Sequence, residues 1–262
     1  MYLENLTAQV IDIAKQAGNF ISNERKGFSP DKIEYKGLND MVSYVDKGAE
    51  KLIVSGLEKI LPEAGFVTEE KTASKTGERY NWIVDPLDGT TNFIHGVPTY
   101  SVSIALQEND ELVMGVVYEI NLDECFYACK DAPAYLNGRE IRVSDAAEVK
   151  RSLVATGFPY YNFEKQAAYI ELFTELMRSC HGLRRLGSAA VDLVYTACGR
   201  FESFYEYNLN PWDVAAGVVI VRQAGGEVVN FKGGNEVLNS RELLATNGRI
   251  TGEMLGIINK YF

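Results

Sequence analysis

Trp82-Ile83-Val84-Asp85-Pro86-Leu87-Asp88-Gly89-Thr90-Thr91-Asn92-Phe93 is the densest chemical signal in this chain. Its apolar start, Trp82–Val84, reads as a buried strand. Two carboxylates follow where a strand ends and a turn begins, the place where α/β and α+β proteins usually carry their chemistry. Pro86 sets its own φ, and Gly89 permits a backbone that other residues resist. Asp-Gly-Thr-Thr then brings backbone N–H groups and hydroxyls beside two acids, which suits a hard cation next to a phosphate. Asp-Pro and Asp-Gly are also ordinary turn pairs, so the reading needs support from the rest of the chain.

Upstream, Leu6, Val10, Ile13, Ala14, Ala17, Phe20 and Ile21 recur with a helical period, and Gly27 and Pro30 close that helix. A second helix is expected from about Ser43 to Ile60. Downstream, strands are expected at Trp82–Asp85, Tyr100–Gln107, Leu112–Glu119 and Glu124–Ala128, with a hairpin turn at Asn137-Gly138. This describes a mainly antiparallel sheet packed on helices. The polar stretch Ser144–Lys150 marks a change, and strands then alternate with helices. Leu153–Thr156, Phe201–Glu206, Glu227–Val229 and Leu243–Ala245 read as strands. Helices are expected over Glu164–Ser179, from a Ser188 cap to Cys198, and from an Asn210 cap to Ala224. Two tightly joined lobes, residues 1–146 and 147–262, account for this pattern.

The chain has 262 residues, 46% hydrophobic and 24% charged, with a formal net charge of −10. That is a globular composition. An acidic chain does not attract nucleic acid by its overall field, so no autonomous nucleic-acid binding is expected. The apolar run Val214–Val221 is too short to span a bilayer. No secretory leader is read at the N-terminus. The cysteines at 125, 129, 180 and 198 form no C-x-x-C pair and read as reduced core residues of a cytoplasmic protein.

Four scattered pieces look like one site: Thr68-Glu69-Glu70 near a strand end, Asp85 with Asp88, Trp212-Asp213 at a helix start, and Lys36 with Asp46 around the second helix. Glu69, Asp85, Asp88 and Asp213 in one pocket would raise one another's pKa unless cations neutralise them. Oxygen-only ligands select Mg²⁺, Ca²⁺ or Mn²⁺. Each residue also has a plainer role. Asp46 reads as the acid of a capping box begun at Ser43, and Asp213 as a helix-dipole partner. Glu70 competes with Glu69 for the ligand role. On its own Lys36 reads as a surface charge and Glu206 equally as a substrate contact or a solvated acid, His95 as packing or turn structure, and Arg184-Arg185 as a surface or dimer pair.

With Trp212-Asp213-Val214-Ala215-Ala216-Gly217 and Ala224-Gly225-Gly226 after the opening stretch, the chain resembles the inositol monophosphatase family of lithium-sensitive phosphomonoesterases over essentially its whole length. The resemblance implies a layered αβαβα sandwich of the sugar-phosphatase type, mixed α+β and α/β, with the site between the lobes. It implies a metal site of Glu69, Asp85, the Leu87 carbonyl, Asp88 and Asp213, holding two or three Mg²⁺ ions with Mn²⁺ as a possible substitute. It assigns Thr90, Asp46 and Glu69 to water activation, Gly89 and Thr90 to the phosphate, and Lys36 to a third ion. Ser188, Ala189, Glu206 and Asp213 would meet the substrate. A small phosphorylated substrate and a homodimer are likewise implied. Thr68 and Ser43 stand where the family usually has glycine and threonine, which leaves the ligands intact. Inositol 1-phosphate is the default substrate; NADP(H) 2′-phosphate, fructose 1,6-bisphosphate and adenosine 3′,5′-bisphosphate stay open. So does a transcription-associated regulatory role. A dinucleotide-binding fold is excluded by the lack of G-x-G-x-x-G after a strand.

Overall fold

Strand after strand in this chain is apolar on both faces, which a sheet satisfies only when both faces are covered. The computed structural model, which describes residues 2–29, 33–37, 40–158 and 164–262, shows how they are covered. In chain order the elements are α1 (Tyr2–Lys26), β1 (Ile33–Gly37), β2 (Asp40–Ser43), α2 (Tyr44–Ile60), β3 (Gly65–Thr68), β4 (Tyr80–Asp88), α3 (Thr90–His95), β5 (Ser101–Glu108), β6 (Glu111–Glu119), β7 (Glu124–Cys129), β8 (Ala134–Leu136), β9 (Arg139–Ile141) and β10 (Leu153–Thr156). Then come α4 (Gln166–Ser179), β11 (Gly182–Arg184), α5 (Ala189–Ala197), β12 (Ser203–Tyr207), α6 (Pro211–Gln223), β13 (Glu227–Val229), α7 (Val237–Ser240), β14 (Glu242–Thr246) and α8 (Thr251–Ile258).

One sheet has seven strands in the order β3-β4-β5-β6-β7-β8-β9. It is antiparallel except for the parallel pair β3 and β4. The other has five in the order β11-β10-β12-β14-β13, parallel through its first three members. A separate hairpin joins β1 to β2. The two-residue period of the strands then separates three cores. Trp82, Val84, Val102, Ile104, Met114 and Val116 meet α1 and α2 through Val10, Ala14, Ile21, Val45, Ala49 and Ile53. The alternate residues Ile83, Ala105, Val117 and Phe126 meet α5 and α6, which also cover Ala155, Phe204, Leu243 and Ala245 of the smaller sheet. The outer face of that sheet, Val154, Tyr205, Val229 and Leu244, packs on α4 and α8. The result is a helix–sheet–helix–sheet–helix sandwich, as the resemblance implies.

The central helix α6 follows from its sequence. Val214-Ala215-Ala216-Gly217-Val218-Val219-Ile220-Val221 is buried throughout, and a helix apolar on every side needs apolar partners on every side. Asn210 and Pro211 start it, and Gly225, at φ +87, follows its end. It lies against β6 where Gly115 leaves room: a Cβ there would be 2.9 Å from the Cα of Ala216 and would collide with its carbonyl oxygen.

Several elements were not expected from sequence. β1, β2, β11 and α7 are three to five residues long. Such pieces give too few periods for a pattern to register. In α8, Thr251-Gly252-Glu253 opens without a side-chain cap and the helix contains Gly252 and Gly256, both poor helix signals. Glu164 and Lys165 form a turn, so α4 starts at Gln166. The Asn137-Gly138 turn is as expected, with φ of +48 and +81 between β8 and β9.

The Gly115 contact yields a test. Gly115→Val forces β6 and α6 apart and should cost about 1–3 kcal/mol, as overpacking does. A urea midpoint equal to that of the wild type would refute the close approach.

Candidate active site

A regular strand sends residues three apart to opposite faces. Asp85 and Asp88 are three apart, yet they pair with Ser103 and Ser101, which are two apart on β5. One extra residue is therefore accommodated at Pro86-Leu87, as a bulge in β4. Proline suits that position because it has no N–H to leave unpaired. Both carboxylates thus share the face of Ile83, toward α5 and α6, while Leu87 joins Trp82 and Val84 in the core on the other side. The Leu87 N–H donates to Asp85 Oδ1 at 3.0 Å, which tightens the bulge. Gly89 follows at φ +94 and turns the chain into α3.

Asp46 is tied both to the start of α2 and to Thr90. Its Oδ2 accepts from the Ser43 N–H at 2.8 Å and the Ser43 hydroxyl at 2.7 Å, completing the capping box of α2. Its Oδ1 lies 2.8 Å from the Thr90 hydroxyl, which also lies 3.0 Å from the Leu87 carbonyl. A hydroxyl has one proton. With that proton directed to Asp46 or Leu87, the oxygen lone pairs of Thr90 remain to accept from a water. Burial raises the Asp46 carboxyl pKa, and the Ser43 and Thr90 hydrogen bonds oppose the rise.

One turn along α2, Glu50 is fully buried. It accepts from the Glu70 N–H at 2.8 Å and the Thr72 N–H at 2.7 Å. It therefore anchors the segment that leaves β3 with Glu69 and Glu70. Glu50 was not singled out in the sequence, although an acid on the apolar face of Val45, Ala49, Ile53 and Leu57 was a usable signal.

The other wall comes from the second half of the chain. Asp88 Oδ2 accepts from the Ser188 hydroxyl at 2.6 Å and the Ala190 N–H at 2.7 Å. These are the cap and first turn of α5. Asp213, in the first turn of α6, accepts from the Asn210 N–H at 2.7 Å. The acids share one field. Burial, then the charges of Glu69, Asp88 and Asp213, hold Asp85 well above the usual carboxylate range. Burial pushes Asp88 up to about 6 against the Ser188, Ala190 and Ala189 donors. It pushes Asp213 up to about 7, helped by Asp88 and opposed by Asn210. Glu206 is 8% exposed on β12. Burial raises it strongly; the Arg185 charge opposes this, and Asp213 and Asp88 add to it.

Glu69, Asp85, Asp88 and Asp213 are thus brought within one another's field, with Thr90, Asp46 and the Leu87 carbonyl alongside. Ser188 is buried and holds Asp88. His95 is exposed at the end of α3, before Gly96 at φ +73, in keeping with turn structure. Lys36 lies on β1, but its side chain falls outside the described residues, as do positions 159–163. Asp192, buried on α5, was not foreseen as a site residue; Arg185, read as a surface or dimer residue, is exposed before α5, and its charge acts on Asp88, Glu206 and Asp192.

Among the described residues no three His, Cys, Asp or Glu side chains converge closely enough to cage an ion. The fit to a metal therefore rests on donor chemistry. The set is all oxygen, without imidazole or thiolate, and its buried acids raise one another's pKa. A hard divalent cation is the counter-charge such a set takes.

Known proteins share this architecture. The profile of the inositol monophosphatase family matches residues 2–261. The Nus factor SuhB of Escherichia coli K12 is 40% identical over 92% of this chain and 91% of its own length. An inositol-1-monophosphatase of Mesorhizobium japonicum is 36% identical over 96% of this chain and 95% of its own. The crystal structure of the extragenic suppressor protein suhB from Bartonella henselae superposes with a TM-score of 0.93 at 36% identity, covering 98% of this chain and all of that one. With the two signatures on their bulge and helix start, these likenesses show that the chain belongs to the inositol monophosphatase family.

Proposed function

We propose that this chain hydrolyses a small phosphate monoester of the inositol 1-phosphate type, using water activated beside a Mg²⁺ site. The observation that carries the reading is the quartet of buried Asp85 with half-buried Glu69, Asp88 and Asp213, whose charges oppose one another, next to a Thr90 hydroxyl already aligned by Asp46. Glu69, Asp85, Asp88, Asp213 and the Leu87 carbonyl would hold two or three Mg²⁺ ions, with Mn²⁺ a substitute and Lys36 near the third. Bound there, the cation supplies Lewis acidity to the phosphoryl group. Thr90 orients the attacking water, and Asp46 and Glu69 draw its proton. Gly89 and Thr90 offer N–H groups to the phosphate. Glu206 accepts a leaving-group hydroxyl, beside Ser188 and Ala189.

The same site accommodates NADP(H) 2′-phosphate or fructose 1,6-bisphosphate as alternative substrates. The proposal further takes the chain as a cytoplasmic homodimer whose lobes divide at 146/147. Among the described residues no helix is long and apolar enough to cross a membrane. A second reading rests on the relative named a Nus factor: a transcription-associated role separate from hydrolysis. Cells carrying Asp88→Asn would keep that role while losing phosphate release.

Phosphate release from inositol 1-phosphate should stop in EDTA, return with Mg²⁺ and fall with Li⁺; full activity in excess EDTA overturns the reading. Asp88→Asn should lose at least ~100-fold in kcat/KM, the scale of removing one electrostatic contact to a transition state. Thr90→Val should lower kcat by about 10²–10⁴, the range of proton-transfer groups, while Thr90→Ser stays close to wild type. Equal rates for the valine and serine variants would remove Thr90 from the mechanism.

The raised acids also predict a pH effect on stability. Asp88 and Asp213 titrate near 6 and 7 in the folded chain, against about 3.9 for an unfolded aspartate. Between these values the folded state holds more protons, so stability falls as pH rises from about 4 to about 7. In EDTA the Tm should drop between pH 5 and 7.5. In excess Mg²⁺, which binds the ionised acids, that drop should shrink. Identical Tm profiles with and without Mg²⁺ would rule this out.

A further inference from the structure

The loop between β12 and α6 is only Asn208-Leu209-Asn210, and it delivers Asp213 in the first turn of α6. Its sharpness shows at Asn208, where φ is +67. The loop is clasped by Arg241, which stands between the end of α7 and the start of β14. The Leu209 N–H donates to the Arg241 carbonyl at 3.2 Å. The guanidinium donates back, from Nε to the Leu209 carbonyl at 3.0 Å and from Nη2 to the Asn208 carbonyl at 3.2 Å. Nη2 also lies 3.2 Å from Asn210 Oδ1. One residue thus reaches every member of the loop. The last member, Asn210, donates its N–H to Asp213 Oδ2 at 2.7 Å, and its carbonyl accepts from the Asp213 N–H at 3.2 Å.

Arg241 occupies this place against backbone preference. Its φ is +58, in the left-handed region where glycine or asparagine is the usual residue. Other residues persist there when their surroundings over-determine them. The turn alone would be served by glycine, so the arginine side chain is what distinguishes the position. A planar guanidinium carries several fixed donors and can hold neighbouring carbonyls together, which a flexible ammonium does less well.

We infer that Arg241 is a positioning residue for the metal site: it fixes the Asn208–Asn210 loop so that Asp213 meets the cation in one orientation. This rests on the proposed Mg²⁺ site and deepens it, by adding a residue that acts on the ligand set only through the loop.

Charge and position have opposite consequences here. Burial raises the Asp213 carboxyl pKa and Arg241 opposes the rise, so the Arg241 charge reaches that carboxylate. As a charge alone, Arg241 repels a divalent ion, and deleting it would tighten metal binding. As a clasp, it steadies Asp213, and deleting it would weaken metal binding. Arg241 is exposed, so water and salt screen the first effect. Loss of a group that orients metal ligands costs about 10–100-fold in metal affinity. Position therefore outweighs charge.

The test is Mn²⁺ binding to metal-free protein, read from the free-ion signal in electron paramagnetic resonance at low and high NaCl. Each variant is measured well below its own Tm in EDTA. Arg241→Gly keeps the left-handed turn and deletes the clasp; it should weaken Mn²⁺ binding about tenfold or more, equally at both salt concentrations. Arg241→Lys keeps the charge and loses the fork, so it should fall between, and it decides the matter if the glycine variant does not fold. Arg249→Ala, which removes an exposed cation paired with Asp145 at 2.7 Å, should match wild type. Unchanged Mn²⁺ affinity in Arg241→Gly, whatever its Tm, makes Arg241 a structural peg and overturns the inference. Tighter binding in that variant, or full affinity in the lysine variant, overturns it as well, because charge then decides. Wild-type protein that binds no Mn²⁺ overturns the metal-dependent reading, and the inference with it.

Discussion

Two like charges must be held side by side in this molecule, and the backbone does it with a single extra residue. The bulge at Pro86-Leu87 lets Asp85 and Asp88 face the same way although the strand's alternation would part them. The layers on either side depend on that step. Before it, Trp82 and Val84 point to α1 and α2 and Ile83 to the middle layer. After it, Leu87 returns to the first core and Asp88 to the second. The insertion therefore preserves both apolar faces while placing two acids on one of them.

The middle layer completes the site from a distance in sequence. Its helices belong to both sheets at once, since α5 and α6 pack on the large sheet and on the inner face of the small one. Their N-termini arrive beside the bulge. Ser188 and the Ala190 N–H grip Asp88, and Asp213 is held by Asn210. Helix N-termini favour negative charge, which offsets part of what burial costs these acids. The site thus sits where cohesion between the sheets and electrostatic tension among the acids meet.

Much of this was legible beforehand, for stated reasons. The acids sit in long signatures, and the helix caps at Ser43, Ser188 and Asn210 use residue types with a mechanism. The bulge was not legible: nothing in Asp-Pro-Leu-Asp says that the two aspartates end on one face. Glu50 and Asp192 were missed because buried acids are rare, so an acid is read as solvated by default. Arg185 was read as a surface or dimer residue, and it is exposed. Short strands such as β11 draw their stability from neighbours and leave little trace in composition.

Glu50 has a wider consequence. Asp46 and Glu50 are one turn apart on a single helix, a spacing of roughly 6 Å that α-helical geometry fixes. One grips Thr90 and the other grips the backbone at Glu70 and Thr72. The helix works as a caliper, so a displacement of α2 carries both jaws together and leaves the gap between them unchanged. Beyond Thr72 the chain is fastened separately, by the Phe66 N–H donating to the Lys75 carbonyl at 2.7 Å and the Gly77 N–H donating to Asn81 Oδ1 at 3.0 Å. A change of length there has to keep those ties, because the strand they hold is the one that delivers Glu69.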